Sequence, residues 1–167
     1  MFELKPISPE SVPAALSKAE RYRLLNEPRE AESICLDALD VDPDNPRAIV
    51  LLLLALTDQF EHGPSDIVIR ARKVLPRLQG EYERAYYAGI ICERRAKAIV
   101  RLNAPGFGGM AYEWLSEAMD WYDKADKVKP AGNDDAVLRW NTCARLLNEH
   151  PEIKPRSDEP HALLMLE

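Results

Sequence analysis

Apolar residues recur at three- and four-residue intervals through most of the chain, the rhythm of helices that bury one face. The first helix is expected over residues 11–25, with Ser11 as its cap and Pro13 in its first turn. Leu16, Ala19, Tyr22 and Leu25 form its stripe, and Asn26-Glu27-Pro28 breaks it. A second helix over residues 29–41 carries Ala31, Ile34, Cys35, Ala38 and Leu39 on one side. Asp42-Pro43-Asp44-Asn45-Pro46 then makes a turn, because two prolines and three short polar side chains favour turns and caps. Further helices are expected over residues 47–60, 65–78 and 81–102, with Pro76 near the end of the fourth and Gly80 as its stop. The glycine-rich residues 103–109 read as a loop, followed by a sixth helix over 111–128 and a seventh ending near His150. Ile67-Val68-Ile69, the candidate strand, lies within a helical pattern among charged neighbours. Seven helices joined by short connections predict antiparallel pairs. The chain thus divides into an N-terminal extension (1–10), a helical domain (11–150) and a flexible tail (151–167) that ends in the apolar Leu163-Leu164-Met165-Leu166.

The longest apolar run, residues 48–56, is too short for a bilayer, which needs roughly 20 residues, and suits a helix buried on most sides. No basic, apolar leader opens the chain, which points to the cytoplasm and to no membrane insertion. Cys35, Cys92 and Cys143 are widely spaced and form no CxxC or Cys/His cluster, so they read as free buried thiols, and no metal or cofactor is expected. At 167 residues and net charge −6, the chain is a soluble-type composition that repels phosphate backbones, which argues against nucleic acid. Charge is polarised: residues 61–101 hold nine Lys/Arg against five Asp/Glu, so the middle of the chain can face an anionic partner.

A pattern repeats. Ala31-x3-Cys35-x2-Ala38-x4-Pro43 returns as Ala118-x3-Tyr122-x2-Ala125-x4-Pro130, with a shorter trace at Ala71-x4-Pro76. Residues 38–48, Ala-Leu-Asp-Val-Asp-Pro-Asp-Asn-Pro-Arg-Ala, together with the upstream spacing of Ala19, Tyr22, Ala31, Cys35, Ala38 and Pro43, resemble the junction between two tetratricopeptide (TPR) units. Small residues let paired helices approach and proline fixes the turn. The resemblance spans roughly residues 11–150, as three degenerate units and a capping seventh helix. It departs from the pattern at Ala15, at Pro64-Ser65 and in the extended third hairpin.

The resemblance implies an all-α, right-handed superhelix of antiparallel helix pairs, a TPR-like α-solenoid whose odd-numbered helices line a concave groove. It assigns to that groove Leu16, Glu20 and Arg23; Arg47, Val50 and Leu54; Tyr86, Ile90, Glu93 and Arg94; and Val137, Asn141 and Arg145. Leu16 and Glu20 stand where TPR domains that clamp a C-terminal carboxylate carry Lys and Asn, so that mode is not expected. The implied function is a non-catalytic scaffold or adaptor for a protein or peptide. The alternatives are a self-assembling structural module, a homodimer for which the C-terminal tail is the candidate contact (a homo-oligomer in either case), or a secretion-type chaperone.

Other candidates read as structural. Trp114 and Trp121 share a helix face and are expected in the core with Trp140. Phe107 is expected to tuck over a hairpin end; a phosphate-cradling loop would want a preceding strand and a following lysine. His62, His150 and His161 have no triad partners in sequence, and no enzyme activity is expected.

Overall fold

The computed structural model describes residues 1–156. Among them are seven α-helices and no strand: α1 (Val12–Leu24), α2 (Pro28–Val41), α3 (Pro46–Thr57), α4 (Ile67–Val74), α5 (Glu81–Leu102), α6 (Phe107–Lys127) and α7 (Asp135–Glu149). The expected apolar tail 163–166, and all of residues 157–167, lie outside the described residues.

Helix ends follow local chemistry where the signal is strong. The Asn45 side chain accepts from the Ala48 amide at 3.0 Å and Pro46 opens α3, an N-cap followed by a preorganised first residue. Asn26 and Asn103 both adopt positive φ, at 59° and 46°, after α1 and α5, a conformation asparagine tolerates better than most residues. The fourth helix is shorter than the expected 65–78. Pro76 lacks an amide hydrogen, so α4 ends at Val74 and residues 75–77 form a single 3-10 turn. The sixth helix begins earlier than expected, at Phe107, so the loop comprises only residues 103–106 and Phe107, Gly108 and Gly109 are helical.

Successive helices pack in pairs, α1 with α2, α3 with α4 and α5 with α6, while α2 lies on α3 and α6 on α7. The first helices of the pairs also meet, α1 with α3 and α3 with α5. Two apolar cores result, and Leu54 and Tyr87 touch both. The apolar run of α3 is accounted for by burial on most sides: Ile49, Leu51, Leu52, Leu53 and Leu56 are all in the first core. At about 1.5–3 kcal/mol per buried large aliphatic side chain, α3 is a principal source of stability. No described helix is long and apolar enough to cross a membrane.

The repeated residues sit at corresponding places. Ala31, Cys35 and Ala38 on α2, and Ala118, Tyr122 and Ala125 on α6, are all at most 1% exposed. Alanines at these points let neighbouring helices approach closely. The second core closes at one end with residues 150–156, at the start of the segment expected to be loose. Ile153 is buried there, and a Cβ on Gly108 would lie 2.2 Å from the Glu152 carbonyl oxygen. Glycine at 108 is therefore a close-approach position between α6 and this segment.

Candidate functional site

A cleft of about 520 Å³ opens where the C-terminal ends of α1 and α3 meet the second half of α5, with Arg139 of α7 at its edge. All four helices are odd-numbered, which brings together residues distant in sequence. Leu24 is an exposed rim residue and Phe60 a buried part of the floor. The charged lining holds five Lys/Arg (Arg23, Arg94, Lys97, Arg101, Arg139) against three carboxylates (Asp58, Glu61, Glu93), a positive cleft in a chain of net charge −6.

Asp58, just past the end of α3, organises one side. It accepts from Arg23 Nε at 2.7 Å and from Arg23 Nη2 at 3.4 Å, and it pairs with Arg94, whose Nη1 also donates to Thr57 Oγ1 at 2.7 Å. Burial lowers the proton affinity of Arg94 below its ordinary value, with Asp58 opposing and the nearby Arg23 and Arg139 adding to the effect.

Glu93 organises the other side. It is fully buried, and a buried carboxylate requires partners. It pairs with Lys97 one turn along α5, accepts from Arg139 Nη1 at 3.4 Å, and accepts from the Tyr122 hydroxyl of α6 at 2.6 Å. Burial and then the Glu93 carboxylate push the Tyr122 phenol far above its usual range. Burial acts against the charge of Arg139, but the Glu93 carboxylate and Tyr86 outweigh it and its proton is held more tightly than usual. A third pair, Arg101 with Glu61, also lines the cleft.

Of the residues assigned to the groove, the structure brings Arg23, Glu93 and Arg94 together in this cleft. Glu20 and Arg47 pair at 3.1 Å on the exposed α1–α3 surface, and Arg47 also reaches Ser17. Val50 and Leu54 are half-buried against the first core, and Tyr86 is half-buried within a tyrosine cluster. Its ring stacks on Tyr82 at 5.7 Å and meets Tyr87 edge-on at 5.2 Å. Leu16 and Ile90 are core residues, 1% and 2% exposed, and therefore offer a partner no surface; their apolar type fits the interior as well as a groove. On α7, Val137, Asn141 and Arg145 do not line the cleft, whereas Arg139 does. Arg139 lies about 200° around the helix from Val137. Buried Ala136 and Cys143 set this rotation, and their spacing was the available sequence signal.

Asp58, Lys97, Arg101 and Arg139 were not among the residues assigned to the groove. The places of Asp58 and Arg139 depend on how α3 ends and how α7 rotates, which a periodic pattern does not specify, whereas Lys97 and Arg101 follow Glu93 by one and two turns of α5.

A second hollow, about 450 Å³, lies on the opposite stripe of α5, between Leu75, Ala85, Ala88, Trp121 and Val128. Trp121 and Trp114 are half-buried rather than interior. Lys124 covers the Trp121 ring at 4.1 Å and Arg72 covers the Trp114 ring at 4.9 Å. Cys35, Cys92 and Cys143 are buried and unbridged, and burial pushes each thiol up to about 12, which suppresses thiolate chemistry.

No family model matches the chain, and no curated protein or solved structure matches it significantly.

Proposed function

We propose that the chain is a TPR-like helical scaffold that binds a protein or peptide in the cleft between α1, α3, α5 and α7, without catalysing a reaction. The observation carrying this reading is the cleft's construction. Its charged side chains come from α1, α5, α7 and the turn after α3, and Asp58 and Glu93 fix four of its cations, which gives a preorganised polar surface beside the apolar rim at Leu24. Preorganised groups lose little freedom on binding, so such a surface favours affinity. The paired packing of the helices and the matching burial of Ala31-Cys35-Ala38 and Ala118-Tyr122-Ala125 support the superhelical repeat. A cytoplasmic adaptor is the role this arrangement suits.

The test is capture of a partner from cell extract by the immobilised chain, compared with Leu24→Glu and Arg101→Glu. Both side chains are well exposed, so neither change should disturb the fold. Loss of the captured protein with both variants, at unchanged helical content, is the expected result. Capture that ignores both changes would remove the cleft from the binding surface.

A further inference from the structure

We propose that the cleft selects an acidic peptide segment, recognised by its side-chain carboxylates. This rests on the scaffold reading above and names its partner's chemistry.

Asp58 serves two guanidinium groups, Arg23 and Arg94. Glu93 serves two cations, Lys97 and Arg139. Each group is thus one acid shared between two bases, and each retains one positive charge that its own acid does not balance. Arg101 and Glu61 form a neutral pair and add nothing to the sum. Two uncompensated positive charges therefore stand close together, since Glu93 and Arg94 are consecutive on α5 and Lys97 follows one turn later. Burial makes the first of them more demanding, because Arg94 is only partly reached by water. Both hydrogen bonds of Arg94 run through Nη1, so among the described residues its Nε and Nη2 have no acceptor. That edge of the guanidinium is suited to a carboxylate, which it can meet with two parallel bonds.

The same geometry disfavours a dense polyanion. Three carboxylates line the cleft, and the chain as a whole is acidic. A phosphate at every nucleotide would meet them, whereas a peptide can space its acids to the two cationic groups and lay an apolar side chain on Leu24.

The experiment measures fluorescence anisotropy of the full chain with a short peptide of Glu and Leu, labelled with an uncharged dye and blocked at both termini so that only side-chain carboxylates are present. Matched Gln–Leu and Lys–Leu peptides and an oligouridylate RNA are the comparisons. The Glu peptide should bind about tenfold tighter than the Gln peptide, and the difference should shrink with added salt. Lys97→Gln should weaken Glu-peptide binding. Glu61→Gln should strengthen it, a gain that misfolding cannot mimic. Equal binding of Glu and Gln peptides overturns the charge selection and leaves the scaffold reading intact. No binding of the Glu peptide at low salt overturns it as well, and partner capture from extract then judges the scaffold reading separately. Tighter binding of the RNA would show that the cleft's anion is a phosphate polymer, which also overturns the proposal.

Discussion

The Tyr122 hydroxyl of α6 donates to Glu93 Oε2 of α5 at 2.6 Å, inside a core where the two residues are 1% and 0% exposed. The acid that arranges Lys97 and Arg139 at the cleft is thus held from behind by the packing of the α5–α6 pair. Tyr122→Phe removes one donor and leaves a lone pair of a buried carboxylate unsatisfied. The expected loss is about 1–3 kcal/mol, read as a lower urea midpoint. A midpoint equal to that of the unaltered chain would show that the bond contributes no stability.

The same tyrosine restricts its neighbour. A Cβ on Gly89 would lie 2.5 Å from Tyr122 Cε1, well inside contact distance. Alanine is the better helix former by about 1 kcal/mol, but the ring is buried and cannot withdraw. Gly89→Ala should therefore destabilise by about 1–3 kcal/mol in a thermal melt, because overpacking outweighs propensity. A rise in melting temperature would mean that the ring has room to move.

Ala38 and Ala125 are fully buried at matching positions of α2 and α6. Ala38→Leu and Ala125→Leu should each cost about 1–3 kcal/mol by forcing the helices apart. If both variants melt like the parent, these alanines are not close-packing positions, and the repeat loses its mechanical basis.

Buried thiols give the stability a defined alkaline limit. Cys35, Cys92 and Cys143 titrate near 9 when solvated and are pushed up to about 12 in the fold. Between those values the folded chain keeps protons that the unfolded chain has lost, so unfolding becomes easier as pH rises. Stability is fully present below pH 9 and should decline above it, by about 1.4 kcal/mol per pH unit for each thiol. Urea titrations at stepped pH check the slope, and replacing one cysteine by alanine should make it shallower. A denaturation midpoint that holds steady up to pH 11 would contradict this account.

Leu16 and Ile90 separate core from surface. Ile90→Asp should collapse the helical signal, since it places a charge inside the second core, whereas Leu24→Glu should leave the melt unchanged. Circular dichroism decides. A folded Ile90→Asp chain would mean that this side of α5 is open to water.

Helix boundaries were legible wherever punctuation was local. The expected α5, residues 81–102, coincides with the observed helix because Gly80 and Asn103 bracket it. The start of α6 was not legible. Gly108 and Gly109 resemble a loop, yet Gly108 is helical and faces the Glu152 carbonyl, a contact made by a segment over forty residues later. The cleft divides in the same way. Arg23, Glu93 and Arg94 follow from the phase of α1 and α5 and the resemblance. Asp58 lies beyond the last turn of α3, and Arg139 is oriented by the packing of Ala136 and Cys143, so their convergence is tertiary information.

Site-specific photo-crosslinking in cell extract tests whether the cleft is the binding surface. A photoreactive amino acid would replace Leu24 at the cleft rim in one sample and Ile69, exposed on α4 away from the cleft, in another. A partner seated in the cleft gives a discrete protein crosslinked from position 24 and not from position 69. The same protein crosslinked equally from both, or from position 69 alone, would contradict the cleft as the binding surface.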